Sequence, residues 1–165
     1  MKKSRHSHAP ETPATCLLRD RGIPFTAHFY DYEDHGGTHV AALQLGLEEH
    51  LVVKTLIMEN ERREPLVVLM HGDRTVSTKS LARQIACKTV TPCTPDTASR
   101  HSGYLVGGTS PFATRKRMPV FVEKSILGQR TIFINGGRRG MLLQISPTAV
   151  VDVLQPKTVE CGIEG

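Results

Sequence analysis

The 165-residue chain has no tryptophan, and aromatic residues make up only 5% of it. A core without large rings has to be built mainly from Val, Leu, Ile and Ala. The four cysteines, Cys16, Cys87, Cys93 and Cys161, are scattered and form no C-x-x-C pair. That spacing excludes the usual zinc sites, and a chain of this length buries enough surface to fold without a disulfide framework. Cys16 and Cys87 fall on segments that read as helix, where a thiol serves as a small buried hydrophobe. No apolar run approaches the ~20 residues of a bilayer span. The basic start, Met1-Lys-Lys-Ser-Arg-His-Ser-His8, leads into no long apolar stretch, so a secretion signal is not expected. A cytoplasmic protein without a membrane partner is the expectation. His6 and His8 could pair on a metal, but they lie in what reads as a tail, and neither metal nor cofactor is expected. Also missing are a G-x-S-x-G elbow and any recognisable Ser-His-Asp arrangement, which speaks against most hydrolases.

What is present is glycine in two distinctive places. Gly103-Tyr-Leu-Val-Gly-Gly-Thr-Ser-Pro111 sets two adjacent glycines and two hydroxyls after a short apolar run. Gly136-Gly-Arg-Arg-Gly140 follows the apolar run Thr131-Ile-Phe-Ile134. Adjacent glycines let the backbone bend sharply and let a ligand approach the main chain, whose N–H groups can face an oxyanion or phosphate. Lys54 lies inside a third apolar run, Leu51-Val-Val-Lys-Thr-Leu-Ile-Met58. Taken singly, each is an ordinary tight turn or an edge-strand lysine. Together they read as parts of one pocket. The net charge of +5 and pI of about 9.2 permit a polyanionic partner such as RNA. The clusters Arg115-Lys-Arg117 and Arg138-Arg139 flank the glycine turns, where a phosphate-bearing ligand would meet them.

The pattern predicts one domain over residues 12–156, a flexible tail at 1–11 and a frayed end at 157–165. Thr12-Pro13, Thr94-Pro95 and Ser146-Pro147 repeat one signal, an N-cap hydroxyl followed by proline at the first helical position. They predict helices to about Arg21 (stopped by Gly22), Arg100 and Leu154. Thr38 is expected to cap a short helix, Val40 to Leu45, and Ser77 or Thr78 a helix through Leu81, Ile85 and Ala86. Strands are expected at Ile23–Tyr32, Leu51–Met58, Leu66–Met70, near Val90, and at Tyr104–Val106, Val120–Val122, Thr131–Ile134 and Met141–Ile145. The charged Glu59-Asn-Glu-Arg-Arg-Glu64 reads as a hairpin connection. Strands cluster without a βαβ period, so the expected fold is α+β: one compact domain with a mixed, partly closed sheet or barrel and surrounding helices.

Lys54-Thr55, the Gly103–Pro111 segment, Lys116-Arg117 and Gly136–Gly140, in this order and spacing, resemble the YbaK family of aminoacyl-tRNA deacylases. That family is related to the editing domain inserted in bacterial prolyl-tRNA synthetases. The resemblance covers roughly residues 14 to 155, and its nearest branch is the cysteinyl-tRNA(Pro) deacylases. It implies a fold like that editing domain and hydrolysis of a mischarged aminoacyl-tRNA. Tyr30, Thr55, Thr109, Ser110, Asn135, Gly136 and Gly137 would line the substrate site. Lys54 would be the essential lysine, and Gly107 and Gly108 the loop that contacts the ester. Lys116, Arg117, Arg138 and Arg139 would hold the tRNA. The implied partners are tRNA(Pro), with tRNA(Cys) as a second substrate, and prolyl-tRNA synthetase, with no DNA.

Two positions depart from that branch. His35-Gly36-Gly37 stands where an aromatic residue often precedes the second helix, and Asn135 stands where serine is common. Both bear on the amino-acid pocket. An activated ester needs positioning and oxyanion stabilisation more than a strong nucleophile. The missing triad therefore fits, and a cysteinyl thiol could itself attack the ester, which would class the reaction as a lyase. Ala-tRNA(Pro) hydrolysed by water, a non-catalytic tRNA- or synthetase-binding module, and an enzyme on another phosphate-bearing small molecule are the alternatives.

Overall fold

The hydroxyl-then-proline signals become helices in the computed structural model, which describes residues 10–165. His6 and His8 lie outside the described residues. The helices are α1 (Pro13–Asp20), α2 (Gly37–Leu45), α3 (Thr78–Gln84), α4 (Pro95–Ser102) and α5 (Pro147–Leu154). Thr12, Thr94 and Ser146 accept from the backbone N–H of Thr15, Thr97 and Thr148, which satisfies donors that a helix start leaves open. Helix α2 begins at Gly37 rather than Val40, and its N-cap Gly36 has no side-chain bond. The Thr38 hydroxyl, expected to cap it, donates instead to Glu49 at 2.8 Å and bonds the Gly72 carbonyl at 3.2 Å.

The strands are β1 (Thr26–Phe29), β2 (Val52–Asn60), β3 (Pro65–His71), β4 (Arg74–Val76), β5 (Val90–Pro92), β6 (Val120–Glu123), β7 (Ile132–Asn135), β8 (Met141–Ile145), β9 (Lys157–Val159) and β10 (Gly162–Glu164). The main sheet runs β1-β8-β7-β2-β3-β6-β9, with β5 also paired to β2, and β10 pairs separately with β4. The sheet is mixed, as the strand-rich pattern implies. The β2–β3 hairpin is antiparallel from Val53↔His71 to Glu59↔Pro65, while β7 and β6 join it in parallel. Asn60 organises the hairpin turn, its side-chain carbonyl accepting from the N–H of Arg62 and Glu64. Every residue of β3 is buried. Val67 and Leu69 pack into one core with Ile134, Leu143 and Phe112, and Val68 and Met70 into another with Leu81 and Phe121. Period-2 alternation here divides two cores rather than core from solvent.

Strand β2 has a gap on its other side. Its start, Val52–Val53, pairs with β7, and its end, Met58–Asn60, pairs with β5. The stretch between has no strand beside it on that edge, and the functional cavity opens there.

Three further expectations are corrected. Tyr104–Val106 is not a strand: Gly103 ends α4 at φ 81°, the Tyr104 N–H is taken by the Ser102 hydroxyl, and no neighbouring strand pairs with it. The buried Tyr104 ring explains the apolar look, its hydroxyl donating to the Phe112 carbonyl at 2.7 Å. The C-terminus is not frayed. β9 adds to β6, β10 adds to β4, and the Glu123 carboxylate accepts from the N–H of Cys161 and Gly162. The first strand is shorter than Ile23–Tyr32 because only Thr26–Phe29 lies against β8.

Candidate active site

A cavity of about 630 Å³ opens where β7 and β5 part from β2, a volume in the usual range for a small-molecule site. Val52 to Met58 form one wall. The loop after β1, the start of α2, the β5–α4 connection, and both glycine turns complete it. Most of the surface is apolar, contributed by Ala41, Val53, Leu56, Ile57, Ala98 and Leu142 among others.

Lys54 lines this cavity half-buried. Its ammonium donates to the backbone carbonyl of Arg74. Burial lowers its pKa from the ordinary lysine value, and the nearby carboxylates of Glu49 and Asp73 oppose that shift. A desolvated cation needs such partners. Sequence reading locates this lysine but not the carboxylates that act on it electrostatically, which come from the segments before β2 and after β3.

The two glycine turns meet at the cavity rim. Gly107 has φ +91°, and a side chain there would sit 2.6 Å from the Tyr32 hydroxyl, so the ring of Tyr32 occupies the space glycine leaves. A Cβ on Gly108 would come within 2.7 Å of the Arg139 backbone, so the turns touch main chain to main chain. The Asn135 side chain joins them. Its Nδ2 donates to the Gly107 carbonyl at 3.1 Å, and its Oδ1 accepts from the N–H of Gly137 (2.7 Å) and Arg138 (3.1 Å). Arg139 donates to the Val106 carbonyl at 2.9 Å and stacks over the Tyr32 ring at 4.8 Å from its centroid. Of the paired glycines, Gly108 already donates its N–H to the Leu105 carbonyl, so it is not free to face an oxyanion. Only Gly107 of the pair lines the cavity.

The fold brings Tyr30, Lys54, Thr55, Gly107, Thr109, Asn135 and Arg139 into one lining. Burial raises the Tyr30 pKa above the ordinary tyrosine value, opposed by a backbone bond at Gly140. Ser110, Gly136 and Gly137 are not in that lining. Ser110 is fully buried and its hydroxyl accepts from the Phe112 N–H. Gly136 packs on Met141 and Leu143, and Gly137 on Tyr104 and Thr12. Lys116, Arg117 and Arg138 are exposed on the surface, away from the cavity wall. Sequence reading missed Tyr32, Thr38 and Cys93. Tyr32 stands two residues from Tyr30, a spacing that could have suggested it. Cys93 carried no such signal, and its thiol is pushed up to about 11 by burial and by Glu59, so it stays protonated at neutral pH.

The structure also forms a serine–histidine contact that the sequence concealed. Ser125 Oγ lies 2.7 Å from His71 Nε2, and His71 Nδ1 lies 2.6 Å from the His50 carbonyl. The two imidazoles stack at 3.7 Å, and His50 Nδ1 bonds Asp73 at 2.8 Å. None of Ser125, His71 and His50 lines the cavity. His71 is 1% exposed, and burial lowers its pKa. It acts as a satisfied core histidine that ties β3 to the chain before β2. Among the described residues, no cluster of three His, Cys, Asp or Glu could hold a metal ion, and no helix is long and apolar enough to cross a membrane.

The aminoacyl-tRNA editing domain matches residues 36–153, a span that contains the whole β2 gap and both glycine turns. The chain belongs to the aminoacyl-tRNA editing domain family. It is 24% identical over 151 residues to EbsC of Enterococcus faecalis, provisionally named a Cys-tRNA(Pro)/Cys-tRNA(Cys) deacylase, covering 91% of this chain and 92% of that protein. A crystal structure described provisionally as a trans-editing enzyme for prolyl-tRNA synthetase superposes with TM-score 0.80 at 18% identity, covering 94% of this chain and 99% of the other. A crystal structure of a hypothetical protein superposes with TM-score 0.83 at 22% identity, covering 92% and 100%. The two structural likenesses show the mixed α+β fold, and the family match makes the chain an aminoacyl-tRNA editing domain.

Proposed function

We propose that this chain is a free-standing deacylase that removes cysteine from mischarged tRNA(Pro), with Cys-tRNA(Cys) as a further substrate. One observation carries the reading: a half-buried lysine in a mostly apolar cavity whose one thiol, Cys93, is held protonated. The cavity suits binding and charge stabilisation better than a protein-borne nucleophile. In this reading Lys54 exchanges its bond to the Arg74 carbonyl for the ester region or the terminal phosphate. The Gly107 main chain contacts the ester, and Arg139, Arg138, Arg117 and Lys116 hold phosphates of the acceptor end.

The cysteinyl substrate supplies its own nucleophile. Its sulfur attacks the ester carbonyl carbon, the C–S bond forms as the C–O bond to the ribose breaks, and the thiol proton ends on the ribose oxygen. The thiolactone leaves and hydrolyses in water. Such a second site supplies discrimination that a synthetase pocket lacks, since one small group is worth only ~1–3 kcal/mol there. Prolyl-tRNA synthetase is the natural source of the mischarged tRNA and the partner to test.

The test is deacylation of Cys-tRNA(Pro), S-methyl-Cys-tRNA(Pro) and Ala-tRNA(Pro) by wild type and Lys54→Ala. Loss of the Cys ester alone, dependent on Lys54, supports the proposal. Equal loss of the S-methyl ester removes the thiol from the mechanism. Loss of the Ala ester instead makes the protein an alanyl deacylase that uses water.

A further inference from the structure

We infer that the main chain of Thr55 anchors the α-ammonium group of the aminoacyl ester, so that the site cleaves esters with a free α-amino group in preference to N-acylated ones. The inference rests on the editing reading and adds to it a particular polar contact and a substrate requirement.

Backbone groups on a strand alternate between its two edges. Val52 directs its carbonyl toward the hairpin side, where it accepts from the Gly72 N–H at 2.6 Å. Ile57 directs its carbonyl to the opposite side, where it accepts from the Cys93 N–H at 3.1 Å. Odd-numbered residues of β2 therefore point away from β3. On that edge β7 pairs only as far as Val53, and β5 begins its pairing at Met58. Thr55 is the residue left between them. Its N–H and C=O face the cavity with no strand opposite, and its hydroxyl is buried without a partner among the described residues. Main-chain groups left unpaired in an apolar recess are rare, because each forfeits the hydrogen bond it would have made in water.

An aminoacyl ester carries the same N–Cα–C=O sequence as one residue of a strand. Seated beside Thr55, its ammonium donates to the Thr55 carbonyl and its ester carbonyl accepts from the Thr55 N–H. The group fills the one-residue break in the sheet and places the scissile carbonyl in the cavity. Glu33 and Asp34 also line the cavity, and their carboxylates favour a cationic group within it. An N-acyl group removes that charge, so the contact falls from a charge-assisted to a neutral hydrogen bond. The requirement is for main-chain chemistry, so it holds for any small side chain the cavity admits.

The experiment compares three esters of tRNA(Pro) with the wild-type protein: cysteinyl, N-acetylcysteinyl and the α-hydroxy analogue made by deaminating the cysteinyl ester. The free amine should be cleaved fastest and the other two roughly 10- to 100-fold slower, the worth of a charge-assisted hydrogen bond. Cleavage of the α-hydroxy analogue at the cysteinyl rate overturns the inference while leaving the editing reading intact. Cleavage of none of the three overturns the editing reading, and the inference with it. A second measurement locates the contact. In nitrogen-15-labelled protein, 3′-cysteinylamino-3′-deoxyadenosine should shift the Thr55 amide resonance at lower ligand concentration than its N-acetyl form does. A bound analogue that leaves the Thr55 amide unmoved places the ammonium elsewhere and overturns the inference.

Discussion

Asn135 donates its side-chain amide to the carbonyl of Gly107 across 28 positions of sequence, at 3.1 Å. The same side chain closes its own turn by accepting two backbone N–H groups. Serine, which the family resemblance leads one to expect at this position, has a hydroxyl too short for both tasks. Asparagine has a donor and an acceptor at the required reach. The departure seen in the sequence is thus a brace between the two glycine turns.

Asn135→Asp keeps the acceptor and loses the donor. It should cost about 1 kcal/mol of stability, and Asn135→Ala roughly 1–3 kcal/mol, since backbone donors are left without a partner. Urea unfolding measures both. Activity should fall in the same order, because Gly107 lines the cavity. An Asn135→Ala protein of wild-type stability would show that the brace contributes nothing.

Gly107→Ala meets two obstacles, the positive φ and the Tyr32 hydroxyl. A loss of roughly 1–3 kcal/mol is expected from the backbone conformation alone. Pairing it with Tyr32→Ala should relieve the contact but not the backbone strain. The double variant should therefore recover part of the lost stability in a thermal melt and remain below wild type.

Lys54 sets a pH dependence. If its ammonium stabilises the departing ester, the catalysed rate falls as pH rises through its folded pKa, which burial places below the ordinary lysine range. The rate is read after subtracting uncatalysed ester hydrolysis, which rises with pH. Stability moves the other way. Between the lowered folded value and the unfolded one, the unfolded chain binds more protons, so stability rises with pH across that window. A catalysed rate flat up to the ordinary lysine value of 10.5 would remove the cationic role.

Glu123 holds the C-terminal strands by two backbone N–H groups, at 2.8 and 3.0 Å. Glu123→Ala should destabilise by about 1.5–3 kcal/mol, the range for hydrogen bonds to a charged group. It should also open the chain after Gln155 to limited proteolysis. Cleavage no faster than in wild type would mean that β9 and β10 are held by their strand pairing alone.

The sequence by itself determined the elements whose cause is local. Thr12, Thr94 and Ser146 cap helices because an adjacent proline and a hydroxyl act within one turn, and those starts are where the chemistry places them. The apolar runs from Leu51 to Met58 and from Leu66 to Met70 were also legible, with the hairpin turn organised by Asn60 lying between them. Lys54, Gly107 and Asn135 stood out by type and order, and the fold gathers them in one cavity. Tertiary structure decided whatever depends on partners distant in sequence. Tyr104–Val106 reads as a strand until the absence of a pairing neighbour is known, and 157–164 reads as an unstructured end until β6, β4 and Glu123 supply its bonds. The commitment of the Gly108 N–H, the electrostatic influence of Glu49 and Asp73 on Lys54, and the one-residue break at Thr55 belong to the same class. Capping and hairpin turns are written in neighbouring residues, whereas a hydrogen-bond vacancy in a sheet exists only once every strand has taken its place.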